Sequence, residues 1–173
     1  MRGGDALKVL AVTLGASGSG KSFALQGLHP YVLETDDLRL KYSGPVKGKY
    51  GWRICQTDGK LVEKCLLSML ANRMAKDHTC IVDSTHSRPM ALERYEGEVR
   101  LSGYQVYALD FRFTALETCL ARNAARPEYK KVPEDVLTEQ WYFLQRIRLP
   151  DWIKIKTVDE LKSMMVQAGD MVA

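Results

Sequence analysis

The sequence predicts an α/β fold, a parallel sheet flanked by helices, and three observations carry that prediction. Short apolar runs alternate with longer amphipathic stretches, the order in which parallel strands are joined by crossover helices. The first run, Val9-Leu10-Ala11-Val12-Thr13-Leu14, is apolar at nearly every position, as a strand covered on both faces must be. It leads directly into Gly15-Ala16-Ser17-Gly18-Ser19-Gly20-Lys21-Ser22, a G-x-x-x-x-G-K-S turn of the kind that joins a strand to a helix.

The elements follow in order. A helix is expected to begin at Lys21, and Tyr31-Val32-Leu33 reads as a second short strand. After Asp36-Asp37-Leu38-Arg39 a Gly/Pro/Lys-rich loop is expected through Gly51. From Thr57 to about Lys76, Leu61, Cys65 and Met69 recur with Val62, Leu66, Leu70 and Met74 at four-residue spacing, which predicts a core-facing helix. Thr79-Cys80-Ile81-Val82 is the next strand, ending at Asp83, and Ser87-Arg88-Pro89 opens another helix with proline in its first turn. Tyr104 to Leu109 is a further strand. Thr114 with Glu117 matches a capping box for a helix running to about Ala125, and Pro133 opens the next. The tail offers a weak strand at Trp152 to Ile155 and a helix capped by Thr157 and Glu160.

A chain of 173 residues, 46% hydrophobic, is expected to form one domain over 1–173 with its own core. The net charge of +4 is mild, so any polyanion binding has to come from clustering. Cys55, Cys65, Cys80 and Cys119 show no C-x-x-C pair and no zinc-finger spacing with histidine, which favours reduced core thiols. His29, His78 and His86 lack ligand-spaced partners and are expected to be satisfied or exposed. The polar N-terminus and the break at Gly15 support neither a signal peptide nor a membrane span, so a cytoplasmic protein with no membrane partner is expected. The oligomeric state is not legible.

The chemistry starts at the glycine-rich turn. Its glycines let consecutive backbone N–H groups turn inward as a nest for phosphate oxygens, which assigns Gly15, Ser17, Gly18, Ser19 and Gly20 to nucleotide binding. Lys21 reaches the β/γ-phosphates and Ser22 offers a hydroxyl to Mg²⁺, so ATP and Mg²⁺ are the implied cofactors. A chance Gly/Ser turn is the competing explanation. Asp36 and Asp37 follow the second strand, where a carboxylate could accept the proton of an attacking hydroxyl; either could instead cap the helix behind it. Asp83 ends an apolar strand where a carboxylate can hold the Mg²⁺ shell, or simply makes a strand-end turn. Arg122, Arg126, Lys130 and Lys131 read as a short lid, about 122–135, that neutralises the transferring phosphoryl group, against the alternative of a solvated basic helix end. From Leu38 to Thr57 no acidic residue occurs, and Arg39, Lys41, Lys47, Lys49 and Arg53 interleave with Tyr42, Tyr50 and Trp52. That mixture suits single-stranded nucleic acid, cations following phosphates and rings stacking on bases; a solvated loop with Trp52 in the core is the alternative.

Taken in order, Gly15 to Ser22, Thr35-Asp36-Asp37-Leu38-Arg39, Asp83-Ser84-Thr85-His86, Arg122-Asn123-Ala124-Ala125-Arg126 and Val132-Pro133-Glu134-Asp135-Val136-Leu137 resemble the kinase domain of bacteriophage and bacterial 5′-polynucleotide kinases, over roughly residues 8 to 145. The resemblance implies a P-loop NTPase-type sheet and transfer of the γ-phosphate of ATP to a 5′-OH end of DNA or RNA. It further implies Asp36 as general base, Arg39 on the acceptor's phosphate, Asp83 and Thr85 toward the substrate, and Arg126 on the donor phosphates. Two departures stand out: His86 replaces the family's usual Asn, and no segment after Pro150 is long enough for the phosphatase domain that accompanies the phage kinase. Other acceptors, a hydroxymethylated base in DNA or a nucleoside or nucleotide, keep the same mechanism. A nucleotide-dependent switch without transfer is the remaining alternative, and it has no need of the Asp36/Arg39 pair.

Overall fold

Strand β1 (Val9–Leu14) has no polar residue except Thr13 and is buried along its whole length, which places it at the centre of the sheet. The computed structural model describes residues 8–49 and 51–171. The chain continues through α1 (Lys21–Ala24), a 3₁₀ turn at His29–Tyr31, β2 (Val32–Glu34), α2 (Thr35–Ser43), β3 (Pro45–Gly48), β4 (Gly51–Ile54) and α3 (Gly59–Met74). Then follow β5 (Cys80–Asp83), α4 (Met90–Glu93), α5 (Glu96–Ser102), β6 (Gln105–Asp110), α6 (Leu116–Ala124) and a second 3₁₀ turn at Glu128–Lys130. α7 (Glu134–Arg146), β7 (Ile153–Lys156) and α8 (Val158–Gln167) complete it. Five strands form one sheet in the order β2-β5-β1-β6-β7, and every pairing is parallel.

Side chains alternate across a strand, so β1 feeds two cores. Leu10, Val12 and Leu14 pack on one face with Leu66, Leu70, Leu92, Tyr95 and Leu137. Val9 and Ala11 pack on the other with Leu25, Leu28, Leu109, Leu161 and Met165. Burying each such leucine contributes about 1.5–3 kcal/mol, so the position of β1, and of the turn that follows it, is strongly determined.

Three expectations are corrected. The segment after α2 is not a loop: β3 and β4 form an antiparallel hairpin in which Lys47 pairs with Trp52 and Val46 with Arg53. Both of its faces are largely polar or exposed, so no apolar alternation marks it in the sequence. On α3, Val62, Leu66, Leu70 and Met74 are buried, but Leu61, Cys65 and Met69 are exposed. The two rows lie roughly 100° apart, and a helix buries only about one such stripe against a sheet. The Thr114/Glu117 box does not form; Ala115 occupies the N-cap and the Thr114 hydroxyl donates to the Ser19 carbonyl at 3.1 Å. The segment 122–135 comprises the end of α6, a connection with one 3₁₀ turn and the start of α7. At the other end of the chain the expected box does form, Glu160 N–H donating to Thr157 Oγ1 at 3.2 Å and Thr157 N–H to Glu160 Oε2 at 2.7 Å. Among the described residues no helix is long and apolar enough to cross a membrane.

Candidate active site

β1 has β5 and then β2 on one side and β6 on the other; the chain leaves β1 toward β2 and leaves β5 across to β6, so connections run in opposite directions from these two C-terminal ends and open a crevice there. A cleft of about 610 Å³ occupies that place, lined among others by Ser17, Gly18, Gly20, Lys21, Ser22, Asp83 and Arg126.

The turn after β1 is shaped by its glycines. Gly18 (φ 81°) and Gly20 (φ 99°) are left-handed, and a Cβ on Gly18 would collide with the Cys119 carbonyl of α6. A Cβ on Gly15 would strike the Ser19 side chain and Phe111, which packs the turn against the end of β6. Ser19 is buried, and its hydroxyl has no partner among the described residues. Helix α1 is a single turn, so the cradle rests on the backbone nest of the loop and little on a helix dipole.

Lys21 Nζ donates to the carbonyls of Gly15 at 2.8 Å and Ala16 at 2.9 Å, which folds the side chain back over the loop. Burial pulls this ammonium below its ordinary pKa and Arg126 adds to the effect, while Asp83 and Asp36 oppose it. Ser22 Oγ donates to Asp83 Oδ2 at 3.1 Å. The other oxygen, Oδ1, accepts from the buried Thr13 hydroxyl at 2.9 Å. Thr85 lines the cleft, and its carbonyl accepts from Gly15 N–H at 3.4 Å.

The end of β2 supplies Glu34, Thr35, Asp36 and Asp37 to the same cleft. The N-cap of α2 is Glu34, with no side-chain cap, and both aspartates lie in the first turn. Neither therefore serves as the N-cap that the alternative required. Asp36 is half-buried and Asp37 exposed. Glu34 was missed by sequence reasoning, although it stands in register beside Asp83 on the neighbouring strand. The same criterion, a carboxylate closing a short strand, could have found it. Burial raises the Glu34 carboxyl above its ordinary pKa, with the Asp37 and Asp83 carboxylates adding to the shift.

Across the cleft, Arg122, Arg126 and Lys130 line the wall. Arg122 Nη1 donates to the Gly18 carbonyl at 3.3 Å. Between them Asn123, buried, donates from Nδ2 to the Val132 carbonyl at 2.7 Å and accepts from Val132 N–H at 3.0 Å. This two-way bond ties the ends of the connection together, a role that sequence reasoning did not give Asn123.

The remaining candidates lie elsewhere. Arg39 donates from Nη1 to the Cys55 carbonyl at 3.4 Å and is not among the residues lining the cleft. Lys47 and Lys49 are exposed on the hairpin, and Tyr50 lies outside the described residues. Trp52 is not in the core; it is 51% exposed and lines a second groove, of about 420 Å³, with Arg53, Glu128, Lys131, Val132 and Pro133. Lys130 and Lys131 thus face different hollows, one on each side of the same turn. His29 and His78 are exposed, and His86 is buried with both ring nitrogens bonded.

Among the described residues no group of three His, Cys, Asp or Glu side chains could hold a metal alone. The Ser22 hydroxyl beside the Asp83 carboxylate fits a hard divalent cation of the Mg²⁺ kind, which takes one or two protein oxygens and completes its shell with phosphate and water. The glycine cradle, closed to any Cβ at residues 15 and 18, fits a phosphate chain.

By structure, the chain is similar to the Pnkp1/Rnl/Hen1 RNA repair complex, with a TM-score of 0.65 at 18% identity over 83% of this chain and 46% of that chain. It thus spans about half the length of that relative. It is also similar to a gluconokinase from Sinorhizobium meliloti 1021, with a TM-score of 0.52 and 18% identity over 94% of this chain and 89% of that one. A tunicamycin resistance protein from Deinococcus radiodurans matches with a TM-score of 0.53 and 15% identity over 94% and 96%. These likenesses establish a P-loop kinase-like fold. Compared by sequence with curated proteins, the chain matches none. Over residues 10–150 it matches the AAA_33 family model, an AAA domain, and the chain belongs to that family.

Proposed function

We propose that this protein is an ATP-dependent kinase that transfers the γ-phosphoryl group to a hydroxyl, the 5′-OH end of a DNA or RNA strand. The observation that carries the reading is one cleft holding both the Lys21 loop and the Asp36 carboxylate at the end of the next strand. The glycine-rich turn binds the donor phosphates, with Lys21, Arg122 and Arg126 neutralising their charge. Ser22 and Asp83 would hold Mg²⁺, which when bound neutralises the β- and γ-phosphate oxygens. Asp36 takes the proton of the acceptor hydroxyl as the new O–P bond forms and the bond from the γ-phosphorus to its bridging oxygen breaks, leaving ADP.

Several features support a nucleic-acid acceptor. Trp52 and Lys131 line a groove separated from the phosphate cleft by one turn, and Lys47 stands opposite Trp52 on the hairpin. An exposed indole with cations beside it suits a strand running past the reacting end. The order of motifs quoted above adds to this, as does a structural neighbour from an RNA repair complex.

One observation favours a second reading, a neutral polyol acceptor. The acceptor side of the cleft carries Glu34, Asp36 and Asp37, while Arg39 points to the Cys55 carbonyl. Carboxylates repel an acceptor phosphate and accept hydrogen bonds from hydroxyls. Incubation with γ-labelled ATP and 5′-OH DNA, 5′-OH RNA, a hydroxymethylated duplex, nucleosides and a neutral sugar alcohol separates the readings. Label on oligonucleotide ends is the expected result; label on the sugar alcohol alone moves the acceptor to a neutral polyol, and hydrolysis without transfer to any acceptor removes the kinase.

A further inference from the structure

His86 is buried, 2% exposed, and its backbone is left-handed at φ 48°, a conformation that a non-glycine residue keeps only when its surroundings hold it. Its ring sits 2.7 Å from the Thr13 carbonyl through Nδ1 and 2.9 Å from the Tyr95 hydroxyl through Nε2. A carbonyl only accepts, so Nδ1 carries the proton. Nε2 of the neutral ring then accepts from the tyrosine O–H. The tautomer is fixed by its partners.

The residue at the far end of the first bond ties this ring to the cleft. The Thr13 hydroxyl lies 2.9 Å from Asp83 Oδ1, 2.8 Å from the Ser84 carbonyl and 3.1 Å from Ser84 N–H. Asp83 Oδ2 in turn accepts from Ser22. The segment Asp83-Ser84-Thr85-His86 is therefore laced to one residue of β1 at three points, and His86 is the last of them. Behind it, Tyr95 is anchored in the core and its ring lies 5.2 Å from the Arg94 guanidinium carbon.

We propose that His86 is the positioning residue of the divalent-cation site, a neutral imidazole wedged between Thr13 and Tyr95 that fixes the aim of the Asp83 carboxylate at Ser22. The proposal rests on the reading that Ser22 and Asp83 hold the metal. His86 itself touches neither nucleotide nor cation. Burial lowers its pKa to about 3, so the ring keeps this bonding pattern throughout the neutral range. Asparagine at the position would retain a donor for the Thr13 carbonyl while losing the reach to Tyr95.

The test measures Mn²⁺ binding by electron paramagnetic resonance, with a non-hydrolysable ATP analogue, for wild type, His86→Phe, His86→Asn and Tyr95→Phe. Loss of a group that orients a ligand typically weakens metal binding by about 10–100-fold, and His86→Phe should fall in that range. His86→Asn should recover most of the affinity, and binding of the analogue without metal should be unchanged in all four. Tyr95→Phe keeps the imidazole and removes its anchor, so it gives a smaller loss and serves if His86→Phe does not fold. Imidazole ¹⁵N spectra should show protonated Nδ1 and bare Nε2. Wild-type Mn²⁺ affinity in folded His86→Phe, or in Tyr95→Phe where His86→Phe does not fold, would overturn the proposal, as would a proton on Nε2. If wild type binds no more Mn²⁺ than the analogue alone, the Ser22–Asp83 assignment falls first and takes the proposal with it.

Discussion

Lys21 is the residue whose loss should cost the most chemistry and the least structure. It contributes two bonds to loop carbonyls and no packing in either core, so Lys21→Ala should melt close to wild type. Turnover should fall by about 10³-fold or more, the scale seen when a charge partner of the transferring phosphoryl group is removed. A folded variant with normal turnover at saturating ATP would dissociate the loop from catalysis. His86 makes the opposite kind of prediction. Its folded pKa, about 3, lies below the ordinary 6.5, so between those values the unfolded chain binds a proton that the folded one does not. Stability then falls as pH drops through 6.5 toward 3, by up to about 1.4 kcal/mol per unit. Thermal melts at pH 7 and pH 5 should show a larger drop for wild type than for His86→Asn; equal drops would mean that His86 is protonated in the folded state. At this scale the sequence exposed the loop residues because their spacing is a motif. It did not expose Glu34 or Asn123, whose importance comes from a strand register and a tertiary bond that no local pattern records.

The hairpin and the glycine turn show how far an element can be read before it is seen. Strands covered on both faces were legible as apolar runs, and the box at Thr157/Glu160 was legible because both partners lie within one turn. The β3–β4 hairpin was not, since its pairing is made by backbone and its side chains alternate without an apolar face. If it guides a strand, replacing Lys47 and Lys49 by Ala should lower the salt slope of oligonucleotide binding by roughly 1.4, two single-strand phosphate contacts, with ATP affinity unchanged. Unaltered slopes would take the hairpin off the acceptor path. In the glycine turn, Gly18→Ala must place a Cβ against the Cys119 carbonyl at a φ of 81°. It should destabilise the fold by at least about 1–2 kcal/mol and abolish ATP binding by calorimetry, whereas Gly27→Ala, also at positive φ but with nothing within 4 Å, should cost only the backbone strain.

At the scale of the whole molecule, the parallel order of five strands is what brings residues 15–22, 34–37 and 83–85 to one edge from distant parts of the chain. That convergence was legible in outline, because strand ends in an open parallel sheet face the same crevice. The split of the basic residues between two hollows was not, because it depends on a turn, Glu128–Lys130, packing beneath the hairpin. Single-turnover transfer from γ-labelled ATP to a saturating 5′-OH oligonucleotide reads out whether the cleft transfers a phosphoryl group with Asp36 as the base. Asp36→Asn should bind ATP normally, melt normally and slow the chemical step by roughly 10²–10⁴-fold, while Asp37→Asn runs at wild-type speed. Wild-type speed in both variants would remove Asp36 and Asp37 alike as the base.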